Sequence, residues 1–404
     1  MIVSNLADDF INAEPVIKAI ENAGFEAYFV GGSVRDTILG LPIHDIDIAT
    51  SAYPEEIKEI FNKTVDTGIQ HGTVMVLDHG EGYEITTFRT ESTYQDFRRP
   101  DHVEFVRSLE EDLKRRDFTI NALAMTHDGR IIDLFNGLQD LENHIIRAVG
   151  TADERFNEDA LRMMRAIRFA SQLDFTIEME TKKALKKHAP LLKKIAIERI
   201  HIEFIKLLLG KNPQIGLRHF VESDLVKYCP EFNNYLSELT DMSKMQSIKL
   251  TSEVAAWSLI IHVLKITETN INHFLISWKS SNELITHVQI VIKALNGIIH
   301  DSVSRELMYE TGLELLLIAN EVAAIFNSNL DAEMLTVAYT ALPIKSKKDM
   351  AINGRQLIKD VGIQPGEKLG QILSILENRI LLEEVPNEST QLLKVAKQLM
   401  LKLA

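Results

Sequence analysis

The chain has 404 residues, of which 45% are hydrophobic, and a formal net charge of −14. That length predicts about two to four domains, and the acidic balance argues against a broadly basic nucleic-acid coat while allowing a local basic stripe. No stretch reaches the roughly 18 apolar residues of a membrane span, and the N-terminal residues lack a secretory-signal pattern. Cys229 is the single cysteine, which excludes an internal disulfide and a Cys-based zinc site. We therefore expect a cytoplasmic protein.

Strand and helix patterns alternate over about the first 150 residues, and helical spacing dominates afterwards. The predicted elements are a strand at Tyr28–Val30, a turn at Gly31-Gly32, a short helix to Gly40, a strand at Ile46–Ile48, a helix at Pro54–Phe61, a hairpin of Thr73–Leu77 with Tyr83–Phe88, a helix at Ile120–Met125 and a strand at Ile131–Leu134. Breaks follow near residues 210–213, 280–282 and 343–348. We predict four domains: a head (1–138), a neck (139–205), a body (206–280) and a tail (281–404).

Two aspartates one residue apart, Asp45 and Asp47, follow the glycine-rich turn. In a strand their carboxylates would share a face, and such a pair suits a hard cation such as Mg²⁺. The turn at Gly31-Gly32 lets backbone N–H groups face an anion, and the helix after it adds a positive end. Arg35 in that helix could bind phosphate or pair with the next residue. The combination is typical of phosphoryl or nucleotidyl transfer.

The segment 155–168 carries the most specific pattern. On one helix, Asp159 and Glu158 would both neighbour Arg162, which could be only a surface ion-pair ladder. An Asp acceptor beside an Arg donor fork also fits the base edges of cytosine and adenine and rejects uracil and guanine. Arg165 and Arg168 continue the stripe and could hold phosphates or the primer end.

Three strings together resemble the class II tRNA nucleotidyltransferases (CCA-adding enzymes) and bacterial poly(A) polymerases of the polymerase-beta-like superfamily. They are Gly31-Gly32-Ser33-Val34-Arg35-Asp36 with His44-Asp45-Ile46-Asp47-Ile48-Ala49-Thr50, Arg115-Arg116-Asp117-Phe118-Thr119-Ile120-Asn121, and Glu158-Asp159-Ala160-Leu161-Arg162. The resemblance implies an α/β nucleotidyltransferase head with a mixed sheet, followed by an all-α neck, body and tail.

The resemblance also implies roles for individual residues. Asp45, Asp47 and Glu84 would be catalytic, with Asp45 and Asp47 holding Mg²⁺ in two-metal catalysis; from its position alone, Glu84 could instead be a solvent-facing hairpin residue. Glu158 would orient the amino-acid template. Nucleotide binding would fall to Gly32, Ser33, Arg35, Arg116, Asp117, Asn121, Asp159, Arg162, Arg165 and Arg168.

Other segments match the family less specifically. The loop over residues 90–102 favours complete CCA synthesis, and residues 133–140 resemble a hinge in which Gly137 could equally be an ordinary turn. Glu198-Arg199-Ile200 resembles a neck-stabilising motif with an internal ion pair. Two lysine-rich stretches, 182–194 and 345–355, could contact RNA or be scattered surface charges.

The leading hypothesis is an enzyme that adds C, C and A to tRNA 3′ ends from CTP and ATP. Poly(A) polymerase and a CC-adding enzyme are alternatives within the family, and a catalytically silent RNA-binding protein is an alternative from another class. The expected partners are tRNA, CTP and ATP, with no membrane and no protein partner evident.

Overall fold

The computed structural model of the chain describes residues 1–43, 45–91, 94–95, 99–100 and 103–402. It forms two compact units, Met1–Gln246 and Ser247–Ala404. The predicted division into four domains is finer than these two units and stays a prediction. Most of the loop predicted over residues 90–102 lies outside the described residues, as does His44, so the interpretation of that loop also stays a prediction.

The first unit is built on a seven-stranded mixed sheet with the order β11-β10-β1-β2-β5-β4-β3. Neighbouring strands are antiparallel except β2 and β5, which are parallel. The strands are β1 Ala27–Val30, β2 Asp47–Thr50, β3 Thr64–Gly68, β4 Thr73–Asp78, β5 Glu81–Thr87, β6 Arg89–Glu91, β7 Tyr94–Gln95, β8 Arg99–Pro100, β9 Val103–Phe105, β10 Leu123–Met125, β11 Ile131–Asp133, β12 Ile145–Ile146 and β13 Thr176–Ile177.

Helices fill the rest of the first unit and all of the second. In the first unit they are α1 Asp8–Asn22, α2 Gly32–Ile38, α3 Pro54–Ile60, α4 Leu109–Lys114, α5 Gly137–Glu142, α6 Ala152–Glu158, α7 Leu161–Leu173, α8 Met179–His188, α9 Ile197–Leu208, α10 Pro213–Glu222 and α11 Leu236–Met242. In the second they are α12 Glu253–Val263, α13 Glu268–Ser277, α14 Asn282–Ile299, α15 Arg305–Thr311, α16 Leu313–Ala324, α17 Ala332–Thr340, α18 Gly354–Val361, α19 Glu367–Leu381 and α20 Ser389–Lys402. The predicted fold class, an α/β head followed by a helical region, is confirmed.

One predicted helix, over Ile120–Met125, is wrong. A short 3₁₀ turn at Thr119–Asn121 leads instead into strand β10. Leu123–Met125 is buried throughout and pairs with β1 on one side and β11 on the other. A short apolar run of this kind reads alike as a buried strand or a helix, so its periodicity misleads.

The strand that carries the predicted metal pair is displaced from its predicted position. It begins at Asp47 rather than Ile46, so Asp45 precedes the strand instead of alternating within it. The buried side chains of Phe29, Ile48 and Ile85 fix β1, β2 and β5 in the core. The start of β2 and its partner β5 are therefore rigidly placed beside the turn that follows β1.

The second unit is held mainly by apolar helix packing. Trp257 and Trp278 are fully buried with ring centroids 5.1 Å apart. A second cluster of buried aliphatic residues joins α18, α19 and α20. Among the described residues, no helix is both long and apolar enough to cross a membrane.

Candidate functional site

A cleft of about 1200 Å³ in the first unit gathers positive charge in an otherwise acidic protein. Its described lining includes eight arginines: Arg35, Arg89, Arg115, Arg116, Arg162, Arg165, Arg168 and Arg199. Dense arginine in a concave site is suited to phosphate recognition, because the guanidinium fork matches phosphate oxygens. The cleft therefore has the electrostatics of a site for a polyanion.

Most of the nucleotide-binding residues predicted from the sequence meet in this cleft. Ten predicted site residues line it: Gly32, Arg35, Asp47, Arg116, Asp117, Asn121, Asp159, Arg162, Arg165 and Arg168. Four others, Ser33, Asp45, Glu84 and Glu158, are not among the lining residues. The cleft thus brings together segments more than 100 residues apart in sequence, from Gly32 to Arg168.

The glycine turn after β1 is tightly enclosed. Gly31 has a φ of +77°, and a Cβ there would lie 3.4 Å from Arg116 Nη1 and 3.5 Å from Asp47 Oδ2. The positive φ would strain any other residue at this position, and the turn lies in van der Waals range of both charged groups. Ser33 is buried, and its Oγ donates to the carbonyl of Val30 at 3.3 Å, so it stabilises the turn.

The acidic pair of the sheet lies at this turn. Asp47 on β2 is in register with Glu84 on the parallel strand β5. Burial raises the pKa of the Asp47 carboxyl above its ordinary value, and the charges of Glu84 and Asp45 raise it further while Arg116 opposes them. These carboxylates are close enough to repel one another, which a cation would relieve.

The donor chemistry fits a hard divalent cation, because all three side chains offer carboxylate oxygens. Within the described part of the chain, no three Asp, Glu, His or Cys side chains converge as a complete metal site. Mg²⁺ sites at transferred phosphates characteristically use one or two carboxylates and complete the shell with water and substrate oxygens. Asp45 and Asp47 are consistent with such an incomplete protein site.

Arg35 forms the predicted pair with the next residue, and its binding of phosphate stays a prediction. Its Nε donates to Asp36 Oδ1 at 2.9 Å, and its Nη1 donates to Asn121 Oδ1 at 2.7 Å. The guanidinium also lies 5.0 Å from the ring centroid of Phe169. Arg35 is thus held at the cleft wall and linked to the next predicted motif.

Asp117 and Asn121 form a buried hydrogen-bonded pair. Asn121 Nδ2 donates to Asp117 Oδ1 at 3.0 Å, and Arg165 Nε donates to Asp117 Oδ2 at 2.7 Å. Burial alone would raise the pKa of the Asp117 carboxyl, but the Arg165 charge and the Asn121 hydrogen bond hold it well below its ordinary value. Asp117 is therefore an ionised acceptor inside the cleft at neutral pH.

The predicted continuous helix through Asp159 is wrong. Helix α6 ends at Glu158, Asp159 is extended with φ −131° and ψ 105°, and α7 begins at Leu161. The Asp159 carboxylate accepts from the backbone N–H of Leu161 at 2.9 Å. Short polar side chains compete with helix hydrogen bonds in this way, which explains the break.

The break changes the partners of the proposed base-reading pair. Asp159 Oδ2 accepts from Arg199 Nη2 at 3.0 Å, whereas Arg162 Nη1 donates to Glu158 Oε2 at 2.5 Å. Arg162 Nη2 also donates to the carbonyl of Arg115 at 2.8 Å. Asp159 and Arg162 both line the cleft; Arg162 contacts Glu158 as helical spacing predicts, whereas Asp159 is fixed by Arg199 and not by Arg162.

The last two arginines of the stripe converge on a residue that the sequence reasoning missed. Glu203 on α9 accepts from Arg168 Nε at 2.5 Å and lies 3.7 Å from Arg165 Nη1. Phe169 packs beneath them, with the Arg168 guanidinium 3.8 Å from its ring centroid. The four-residue spacing of Arg199 and Glu203 on α9 is a signal that could have identified this wall.

Further residues in or next to the cleft had no sequence assignment. Asp112 is buried and accepts from Arg115 at 2.7 Å and Arg116 at 3.2 Å, which positions both guanidinium groups. Arg89 donates to the backbone carbonyl of His71, and both line the cleft. An acidic residue three and four positions before an arginine pair was the available signal for Asp112.

The predicted RNA contacts of the lysine-rich stretches stay a prediction, and the predicted hinge is closely packed. Lys182, Lys183 and Lys187 are not among the cleft-lining residues and form exposed ion pairs with acidic partners 2.7–3.0 Å away. In the predicted hinge, Asp133 accepts from the backbone N–H groups of Phe135, Gly137 and Leu138, the last two in the first turn of α5. A Cβ at Gly137 would lie 2.4 Å from the carbonyl oxygen of Thr119, so close packing accounts for the glycine.

Three family models match successive parts of the chain. They describe a poly A polymerase head domain at residues 27–147, a probable RNA and SrmB-binding site of polymerase A at 174–236, and a putative tRNA nucleotidyltransferase domain 2 at 248–396. A CCA-adding enzyme of Ligilactobacillus salivarius is 57% identical over 99% of both chains. The chain belongs to the CCA-adding enzyme family.

Solved structures of CCA-adding enzymes agree with this assignment. The Bacillus stearothermophilus enzyme in complex with CTP is 39% identical, covers 98% of each chain and superposes with a TM-score of 0.88. A CCA-adding enzyme in complex with ATP is 26% identical, covers 98% of this chain and 96% of its own, and has a TM-score of 0.64. As a CCA-adding enzyme, the chain is a nucleotidyltransferase, which confirms the resemblance found in its motifs and favours neither a poly(A) polymerase nor a silent RNA-binding protein.

Proposed function

We propose that the chain adds C, C and A in turn to the 3′ end of tRNA from CTP and ATP, through the arginine-lined cleft described above. One observation carries the proposal: the paired carboxylates of β2 and β5 and the Asp159–Arg162 segment belong to one compact unit, and Asp47, Asp159 and Arg162 line one cleft. The cleft can therefore hold a nucleotide with its phosphates near Asp47 and its base near Asp159.

The chemical step forms one P–O bond and breaks another. The 3′-hydroxyl oxygen of the primer attacks the α-phosphorus, loses its proton, and pyrophosphate leaves as the bond to the β-phosphate breaks. Asp45 and Asp47 would hold Mg²⁺ with Glu84 beside them, and the bound cation would neutralise phosphate charge and favour the ionised hydroxyl. Burial, and to a smaller extent the charges of Glu84 and Asp45, raises the pKa of Asp47, and a bound cation would stabilise its ionised form.

The turn and its arginines would bind the triphosphate. Gly32 and the backbone beside it leave room for phosphate oxygens, while Ser33 holds the turn. Arg35 and Arg116 lie on either side of this region of the cleft and would supply charge-assisted hydrogen bonds. Because both arginines are already fixed by protein acceptors, little conformational entropy would be lost on binding.

Sugar recognition would fall to the Asp117–Asn121 pair. A ribose 2′-hydroxyl both donates and accepts a hydrogen bond, so an ionised carboxylate next to an amide can distinguish it from deoxyribose. The lowered pKa of Asp117 keeps it an acceptor throughout the neutral range. Arg165 would act here through Asp117, since its Nε donates to that carboxylate.

Base selection would rest on Asp159 and Arg162. A carboxylate acceptor and a guanidinium donor complement the amino group and ring nitrogen that cytosine and adenine share, and oppose the carbonyl and N–H of uracil and guanine. Glu158 would orient Arg162 through their 2.5 Å contact, and Arg199 would orient Asp159 through its 3.0 Å contact. Arg165 and Arg168 both contact Glu203, which would hold the two guanidinium groups in place. The head, neck, body and tail boundaries predicted above remain part of this proposal.

Incubation of the protein with tRNA that lacks CCA, in Mg²⁺ and with each nucleotide alone, tests the proposal. We expect CTP to extend the tRNA by two residues, ATP to extend tRNA ending in CC by one, and UTP and GTP to be poor substrates. A Glu180→Gln variant, altered at an exposed surface pair, serves as the matched control.

The same assay separates the alternatives. Long tails from ATP alone would indicate a poly(A) polymerase, and extension that stops after CC with both nucleotides present would indicate a CC-adding enzyme. Use of UTP or GTP at the rate of CTP would contradict the base-selection argument.

A further inference from the structure

One exposed apolar side chain lies in the arginine-lined cleft. Ile202 is 53% exposed, whereas Leu161 and Phe169, which also line the cleft, are buried. A single exposed isoleucine on an ordinary surface needs no explanation. In a cleft whose arginines suit a polyanion, this side chain presents an apolar surface to the solvent.

The position of Ile202 on α9 relates it to the base-reading residues. Arg199, Ile202 and Glu203 all line the cleft, so this stripe of α9 faces it. Arg199 holds the Asp159 carboxylate at 3.0 Å, and Ile202 follows three residues later on the same helix. A rise of 1.5 Å per residue places it about 4.5 Å further along the helix axis, less than one turn from the residue that positions Asp159.

We propose that Ile202 packs against the base of the 3′-terminal primer nucleotide and so positions the attacking hydroxyl. The inference rests on the proposed function, which assigns the incoming base to Asp159 and Arg162. The only nucleotide that must adjoin the incoming one is the primer terminus, because the reaction joins these two. An aliphatic side chain offers a face to any base without reading its edge, which suits a primer whose terminal base changes from that of the tRNA to C during synthesis.

The charge of the cleft suits the same occupant. Its described lining has eight arginines and four carboxylates, and this positive excess matches the phosphates of an RNA strand. Arg168 and Glu203 neutralise one another at 2.5 Å, so Ile202 is not surrounded by uncompensated charge that would repel an apolar contact. An RNA end can therefore lay its base on Ile202 while its backbone stays near the arginines.

Steady-state kinetics of Ile202→Ala test the inference, with tRNA and CTP varied separately. Loss of one base contact predicts a KM for tRNA raised about fivefold to tenfold, with the KM for CTP and the preference for CTP over UTP unchanged. Ile202→Leu, which keeps the apolar face, should restore the KM for tRNA. Ile11→Ala is the matched control, because Ile11 is 51% exposed and lies on α1 outside the lining of the cleft.

An unchanged KM for tRNA in Ile202→Ala would overturn the inference, as would an equal rise in the KM for CTP. Melting curves of each variant check that the fold is intact, and the exposure of Ile202 means that it should be. Failure of the proposed function looks different: the wild-type protein itself would not extend tRNA with CTP, or would not discriminate against UTP.

Discussion

The two compact units of the chain differ in how many charged side chains they bury. Among the described residues, the first unit buries seven ionisable Asp, Glu and Arg side chains, Arg35, Asp112, Asp117, Asp140, Arg162, Arg168 and Glu203, whereas the second buries one, Glu377. Burying a charge is unfavourable unless a partner compensates it. A protein that needed only stability would place such groups as the second unit does, at the surface around an apolar core.

The contrast identifies where function has shaped the fold. In the first unit, each of these charges has an opposite charge or hydrogen-bonding group close by, as in Arg168 with Glu203 and Asp117 with Arg165. Such networks hold their side chains in place, because moving one partner leaves the other as an unpaired buried charge, with the full free-energy cost of its desolvation. Rigid, preorganised charge is what a nucleotidyl-transfer site requires.

The largest expected effect comes from Asp47→Asn. We expect turnover to fall by about 10³-fold or more, because the cation loses a carboxylate ligand, with tRNA affinity retained. The raised pKa of Asp47 means that its ionised form opposes folding. Asp47 therefore contributes fully to the free energy of unfolding below the ordinary Asp pKa, near 4. This contribution is lost as the pH rises through the pKa of Asp47 in the folded protein.

The same substitution should consequently raise the melting temperature of the metal-free protein at pH 7, relative to wild type. Rate measurements and thermal melts at pH 5 and pH 8 check both halves of the prediction. Asp241→Asn, at an exposed position, is the control. Undiminished turnover would reject the metal role of Asp47, and a lowered melting temperature would reject the electrostatic account.

Glu203→Gln should give the largest loss of stability. Removing one partner of a buried ion pair leaves Arg168 uncompensated, which costs about 3–5 kcal/mol. Thermal or urea unfolding measures the loss. The exposed pair Lys183–Glu180 is the comparison, and Glu180→Gln should leave the melting temperature unchanged. Equal effects at the two sites would remove the distinction between buried and surface charge.

Arg199→Met should weaken discrimination more than it weakens folding. Without its 3.0 Å contact to Arg199, Asp159 loses a fixed position, and a small displacement of a positioned group costs about tenfold to a hundredfold. The ratio of kcat/KM for CTP to that for UTP measures the effect. Arg218→Met, an arginine exposed on α10, is the matched variant and should leave that ratio intact.

The smallest expected effect is on the stability of the protein at acidic pH. Because the folded pKa of Asp117 is lowered, its ionisation contributes stability at neutral pH that is lost as pH falls below about 4, the ordinary value for Asp. Wild type should lose stability over this range more steeply than Asp117→Asn. Melting temperatures between pH 6 and pH 2.5 record the two slopes, and parallel slopes would contradict the assigned charge of Asp117.

The sequence predicts the first unit far better at its motifs than at their connections. Gly31, Asp47 and Asp159 could be found because each residue type has chemistry suited to its spacing, and Asp117 because its motif resembles one of the family. The break at Asp159 could not, because a side-chain hydrogen bond to Leu161 overrides helical periodicity locally. The strand at Leu123–Met125 was missed since only its pairing with β1 and β11 distinguishes it from a helix.

The residues that hold the motifs in place were harder to predict. Glu203 and Asp112 contact arginines from another helix or from the next turn, and their three- and four-residue spacing to arginines is a signal that ordinary surface ion pairs share. Lysine-rich stretches suggested RNA contacts, yet three of those lysines pair with nearby carboxylates in the structure. Composition shows where charged residues are concentrated in the sequence, whereas only the fold shows which of them already have an opposite charge beside them.

The central claim is that protein side chains choose the incoming base, and one measurement addresses it most directly. Asp159→Ala combined with Arg162→Ala should be incubated with tRNA lacking CCA and each of the four nucleotides, after melting curves establish that the variant is folded. If these two side chains choose the base, the double variant should use all four nucleotides at similar rates. A folded double variant that still selects C and A as strictly as wild type would contradict it.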